Sequence, residues 1–252
     1  MDIQQWQPQE IIHAISFDCD GTLSNIEGID EVAKLNHCKN DVAKLTHEAM
    51  SLTGLSKSLY KQRLDLVKPT QSQTETLAEI YLQNVTLDCI QTINILKRMN
   101  KSIYIISAGN NPAVSLFGEK LSVPAENCSA INLFFNEDGS YKGYDSDSPL
   151  CDSAGKIGIL SNIKQKHNTV LHIGDGLNDT PAVNTVTRFI GYGGHYFRKN
   201  IADLSPFYLS CESLLALLPL TLTQEEVNQL NPDDAIQYKT GCELLNDHLH
   251  IK

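Results

Sequence analysis

Five short β-prone runs, each closing on a small or polar residue, constrain this chain most strongly. They are AISFD (14–18), SIYIIS (102–107), TVLHIGD (169–175), RFIGY (188–192) and FYLS (207–210). Segments of helical character separate most of them. Strands alternating with helices predict βαβ units, a mostly parallel sheet and hence an α/β fold. About 80 residues of helical periodicity part the first run from the second, far more than one crossover helix needs. Within them EVAKL, DVAKLTHEAM, KSLYKQRLDLV and QTETLAEIYLQ read as amphipathic helices, punctuated by Gly54 and Pro69. The expected division is a core over 1–23 and 89–218, a helical cap over 24–88 and a helical extension over 219–252. NLFFNEDGSYKGY (132–144) reads as a hairpin, and Thr223 with Glu226 as a capping box.

The chain has 20 basic and 30 acidic side chains, a net charge of −10. That balance argues against nucleic acid and anionic lipid as partners, since both call for a basic footprint. The first residues lack the basic and apolar regions of a signal peptide, and LLALLPL (214–220) is too short to span a bilayer. Seven cysteines, an odd number with no CxxC spacing, fit free thiols in a reducing compartment. A soluble cytoplasmic protein is expected.

In an open parallel sheet, ligands sit beyond the carboxyl ends of the strands. Three such ends carry distinctive groups here: Asp18-Cys-Asp20-Gly-Thr22, Ser107-Ala108-Gly109 and Gly174-Asp175-Gly-Leu-Asn178-Asp179. Lys156 opens the helical segment before TVLHIGD. Several carboxylates cannot stay ionised side by side without a cation. Donors that are all oxygen point to a hard ion, Mg²⁺ before others. A lysine, a serine hydroxyl and glycine-exposed amides make an anion cradle. Together these groups suit phosphoryl transfer, with an aspartate as a candidate covalent nucleophile.

The ordered set resembles the haloacid dehalogenase-like phosphatases, whose motifs are DxDGT or DxDST, a serine or threonine, a lysine, and GDGxxD. EGIDE after the first motif, Met50 thirteen residues before Arg63, and FIGYGG after the last resemble the phosphoserine phosphatase family. The resemblance implies a Rossmann-like three-layer core with an inserted helical cap. It implies Asp18 as nucleophile, Asp20 as acid and base, and Ser107 and Lys156 on the phosphoryl oxygens. Mg²⁺ would be held by Asp18, the Asp20 carbonyl and Asp175, with Asp179 supporting its waters. Asn178 would add a hydrogen bond and Ala108 and Gly109 would border the ligand. Glu27 would take the substrate ammonium, Arg63 its carboxylate, and Met50 would pack on the small side chain. Three positions depart from the family pattern: Ser56 for a usual Phe, Ala108 for Gly, and Gly21 for Ser.

Plainer assignments apply elsewhere. Asp30 and Glu31 are helix-start residues facing water, His172 is a packed residue inside a strand, and Cys19 points into the core. The implied activity is Mg²⁺-dependent hydrolysis of O-phospho-L-serine, a small phosphorylated amino acid, by a monomer or homodimer. A phosphotransferase that passes the group to an alcohol such as homoserine, or a phosphatase for another small phosphate, shares the same motifs. A binding module with a degenerate site is disfavoured by the intact Asp18, Asp20, Lys156 and Asp175.

Overall fold

The computed structural model describes residues 6–252. Among the described residues eight strands form one sheet: β1 (Ala14–Phe17), β2 (Ser102–Asn111), β3 (Cys128–Phe135), β4 (Tyr141–Tyr144), β5 (Val170–Gly174), β6 (Arg188–Tyr192), β7 (Phe207–Leu209) and β8 (Leu249–Ile251). Their order is β4-β3-β2-β1-β5-β6-β7-β8. All pairings from β3 to β7 are parallel, and only the edge strands β4 and β8 pair antiparallel. This is the expected α/β fold, and the NLFFNEDGSYKGY stretch supplies the hairpin of β3 and β4.

Every residue of β1 and β5 is buried, as a sheet covered on both faces demands. Alternation sorts the side chains: Ile15, Phe17, Ile103 and Ile105 join one apolar cluster, Ala14, Tyr104 and Ile106 the other. The chain leaves β1 toward β2 and β3, then returns to place β5, β6 and β7 on the opposite side. The crevice at this reversal opens between β1 and β5, where Phe17 pairs with Ile173. The residues that follow both strands therefore meet.

Between β1 and β2 lie α1 (Gly28–Leu35), α2 (Lys39–His47), a wider π-helical turn over Glu48–Leu52, α3 (Lys57–Val67) and α4 (Gln71–Gln83). Helix α5 (Cys89–Arg98) then leads into β2. A capping box of Thr70 and Gln73 starts α4, and Lys68 in the left-handed region ends α3. Helices α6 (Ala113–Lys120), α7 (Lys156–His167) and α8 (Lys199–Leu204) connect the later strands.

One expectation is corrected at β2. The strand does not stop at Ser107; it runs on to Asn111, and its register against β3 shifts between Ile106 and Asn110. Such a bulge re-aims side chains, and here it turns Ser107, Gly109 and Asn110 toward one pocket.

After β7 come α9 (Leu218–Thr221), α10 (Gln224–Val227) and α11 (Pro232–His248). The Thr223–Glu226 capping box starts α10. The last residues then add β8 to the sheet edge, a strand the sequence reading did not contain. Two ion pairs anchor this tail: Lys101 with Glu226, and Arg98 Nη2 with Asp234 Oδ1 at 2.6 Å. All seven cysteines are free thiols, and Cys19 is wholly buried. Among the described residues no helix is long and apolar enough to cross a membrane.

Candidate active site

Asp18 follows β1 directly, and its backbone amide donates to the Ile173 carbonyl, extending the pairing with β5 by one residue. Its side chain is closed to solvent; Oδ1 accepts from the Cys19 amide at 2.8 Å and from Lys156 Nζ at 2.9 Å. Among the described residues no donor reaches Oδ2. Asp175 follows β5 and Asp179 lies four residues on, both buried. One ligand oxygen from each of Asp18, Asp175 and Asp179 lies within 4.8 Å of the others.

Two cations face these three carboxylates. Lys156, at the start of α7, also lies 2.6 Å from Asp179 Oδ1. Arg198, just before α8, pairs with Asp175 Oδ2 and donates to the Asp175 carbonyl at 3.0 Å. The balance remains negative. Burial holds Asp18 well above the ordinary carboxylate pKa, with Asp179 adding repulsion that Lys156 only partly offsets. Burial also raises Asp175, against the pull of Arg198. Asp179 goes the other way: burial alone would raise it, but Lys156 and His172 outweigh that and hold it low. An all-oxygen cluster with surplus negative charge fits a hard divalent cation.

His172 does more than fill the core. It is fully buried, as expected, but its Nε2 lies 2.9 Å from Asp179 Oδ1 and its Nδ1 3.2 Å from Ser16 Oγ. Burial lowers its pKa, so the ring is neutral, donates to Asp179 and accepts from Ser16. With the Gly176 amide on Oδ2 at 3.0 Å, Asp179 is held by three donors.

Gly21 accounts for one departure from the family pattern. Its φ is +69°, and a Cβ there would collide with the Asp175 carboxylate. Thr22 meanwhile sends its hydroxyl to Asp175 Oδ1 at 3.3 Å.

A pocket opens beside this cluster, lined by Asp18, Asp20, Glu27, Arg63, Ser107 and Asn178 among others. The sequence-predicted Ala108 and Gly109 also border it. Asp20 accepts at Oδ1 from the Gly28 amide (2.5 Å) and the Tyr81 hydroxyl (2.8 Å), and at Oδ2 from Ser107 Oγ (3.3 Å). Burial raises its pKa despite these bonds. Arg63, on α3, is 5% exposed, forms no ion pair among the described residues, and its Nε has no acceptor. Its guanidinium lies 5.6 Å from the Tyr60 ring centroid, and the Tyr60 hydroxyl donates to Asn110 Oδ1 at 2.5 Å. Asn178 Oδ1 is likewise buried without a donor. Burying such groups unpaired costs free energy, so two of them on the lining of one pocket are a binding signature.

Glu27 stands at the N-terminus of α1 but makes no capping bond, and burial with Asp20 nearby raises its pKa. Asp30, expected to face water, is instead half-buried and accepts from Thr46 at 2.7 Å, tying α1 to α2. Glu31 pairs with Lys34. Ser56 lies outside the pocket: its hydroxyl caps α3 through the Leu59 amide at 3.2 Å, and Leu55 and Ile29 supply apolar wall. Met50 falls in the π-helical turn, and its side chain lies outside the described residues.

A family model of haloacid dehalogenase-like hydrolases matches residues 12–186. The chain belongs to that family. Within it, the phosphoserine phosphatases of Homo sapiens and Bos taurus are each 31% identical over 199 residues, covering 78% of this chain and 88% of theirs. A solved phosphoserine phosphohydrolase-like protein from Francisella tularensis superposes with a TM-score of 0.71 at 25% identity, over 79% of this chain and 96% of its own. The chain is thus a phosphoserine phosphatase-like phosphoric monoester hydrolase of the haloacid dehalogenase-like type.

Arg198, Tyr81, Tyr60 and Asn110 escaped the sequence reading. Arg198 sits in the loop that follows the FIGYGG stretch, and a basic residue beyond a strand end was its available signal. Tyr81 looked like one more apolar position on an amphipathic helix.

Proposed function

We propose that this hydrolase cleaves O-phospho-L-serine to L-serine and phosphate through an aspartyl-phosphate on Asp18, with Mg²⁺ as its cofactor. The observation that carries the substrate is Arg63: a buried guanidinium without an ion pair shares a pocket with Glu27 and the Asp18–Asp20 loop. Phosphoserine offers a carboxylate to Arg63, an ammonium to Glu27 and a phosphoryl group to Asp18. Its carboxylate can take parallel bonds from the guanidinium fork.

Asp18 Oδ2 attacks phosphorus while the P–O bond to serine breaks. Asp20 gives its proton to the departing oxygen, then accepts one from the water that attacks the phosphoryl-aspartate and frees phosphate. Lys156 and the Ser107 hydroxyl hold the transferring oxygens, where charge accumulates. Asn178, on the wall of the same pocket, would add a hydrogen bond from its amide N–H to the transferring group. Mg²⁺, held by Asp18, the Asp20 carbonyl and Asp175 with Asp179 behind, would neutralise the carboxylates and polarise the phosphoryl group.

The pocket leaves about 30 Å³, enough for about two waters and far too little for the substrate. We therefore assign residues 24–88 as a cap that draws back for entry and closes over the core of 1–23 and 89–218, with 219–252 an extension of that core. Free thiols suit a cytoplasmic setting, and we read the enzyme as a monomer or homodimer.

Phosphate release from phosphoserine, phosphoethanolamine and phospholactate, with Mg²⁺ or EDTA, tests the assignment. Phosphoserine is expected to be hydrolysed fastest and only with metal; equal rates on all three overturn the substrate. Added homoserine should yield no phosphohomoserine.

A further inference from the structure

Asp20 belongs to the loop after β1, yet two of its hydrogen bonds come from the helices inserted behind it. The Gly28 amide begins α1 and the Tyr81 hydroxyl sits near the end of α4, and both end on Oδ1. Among the described residues Oδ2 takes only the longer bond from Ser107, and it lies against Gly109 on the pocket wall. A carboxyl oxygen offers two in-plane lone pairs, and those of Oδ1 are filled by an N–H and an O–H. Oδ2 is therefore the oxygen left to carry a proton, and it faces the pocket.

The position of Tyr81 is built for this contact. The side chain is fully buried, its ring stacks on Phe117 with centroids 5.4 Å apart, and Ser24 donates to its carbonyl at 3.1 Å. A Cβ on residue 28 would overlap the Tyr81 hydroxyl, so glycine there lets both donors share one oxygen. The phenol O–H is the donor in this contact and the Asp20 carboxyl oxygen the acceptor.

We propose that Tyr81 is a positioning residue for the acid step, locking the Asp20 carboxyl so that Oδ2 delivers its proton to the leaving oxygen. This rests on the phosphomonoesterase reading above. As the P–O bond breaks, its electron pair goes to the serine oxygen, which takes the Oδ2 proton; the carboxylate left behind keeps both Oδ1 donors. Because those donors ride on α1 and α4, the acid is in register only when these helices are seated on the core.

Leaving groups separate this role from a structural one. Serine departs as a poor leaving group that needs the proton, whereas p-nitrophenol departs as a stable anion that does not. Single-turnover release of serine from phosphoserine should fall about ten- to hundredfold in Tyr81→Phe, a part of the usual acid–base contribution. Single-turnover release of nitrophenol from p-nitrophenyl phosphate should change by less than about threefold, on the same leaving-group argument. Gly28→Ala keeps the ring but crowds the hydroxyl off Asp20, and should show the same selectivity should Tyr81→Phe fold poorly. Equal slowing on both substrates, or no slowing on phosphoserine, overturns the proposal alone. Wild-type protein inert on both substrates overturns the hydrolase reading and the proposal together.

Discussion

Lys156 Nζ lies 2.9 Å from Oδ1 of Asp18, with both side chains 3% exposed. The same ammonium reaches Asp179, so one buried cation holds the carboxylate after β1 and the carboxylate after β5 in a single frame. Burial would lower the lysine pKa; Asp179 and Asp18 overcome it and raise it. The two aspartates depend on the lysine in turn.

Lys156→Met should therefore cost both stability and activity. Removing one partner of a buried ion pair costs about 3–5 kcal/mol, readable by urea unfolding in EDTA. Phosphate release should fall at least about a hundredfold, since on the proposed mechanism a preorganised charge at the phosphoryl oxygens is lost. A variant of wild-type stability and turnover would remove Lys156 from the site.

Arg63→Met separates substrate grip from chemistry. The KM for phosphoserine should rise about ten- to a hundredfold, as expected when charged hydrogen bonds are lost. The KM for p-nitrophenyl phosphate, which has no carboxylate, should stay within about threefold by the same reasoning. Parallel loss on both substrates would mean that Arg63 supports the fold instead.

Stability should depend on pH and metal together. Burial raises the pKa of Asp18, Asp20, Glu27 and Asp175 above the unfolded value of about 4. Between that value and their raised folded pKa values the native state binds protons that the unfolded chain does not. Their contribution is full below about pH 4 and is lost as pH rises through the folded values. Asp179, held low, behaves oppositely and loses its contribution only as pH falls through its folded value. Mg²⁺ held as proposed would displace the bound protons. The rise in Tm on adding Mg²⁺ to metal-free protein should accordingly be larger at pH 7.5 than at pH 5.5. A rise that is equal at both, or larger in acid, contradicts this.

The convergence of the site's polar groups was legible in the chain because strand ends carry them. Asp18, Asp175 and Asp179 follow runs whose β pattern is unambiguous, and adjacency of β1 and β5 brings them together. Lys156 was visible as the opening residue of α7. Ser107 is legible only in part: it sits at a register shift inside β2, not at its end, and register shifts leave no mark in a hydrophobic pattern. Residues whose roles depend on packing between distant elements were not legible. Tyr81 reaches Asp20 across 61 positions of chain, and Arg198 reaches Asp175 across 23. His172 looked like core, and is core, but the pattern could not show that its ring turns toward Asp179. The strand β8 was hidden because an edge strand of three residues, Leu249–Ile251, is too short to display alternation.

The central claim is that the Asp18 carboxylate forms the covalent intermediate. Acid quenching of a reaction with ³²P-phosphoserine and Mg²⁺, followed by peptide mapping, reads it directly. Label on the peptide carrying Asp18 in wild type, and none in Asp18→Asn, is the predicted result. Turnover by Asp18→Asn at a rate near wild type, or label on another residue, would contradict it.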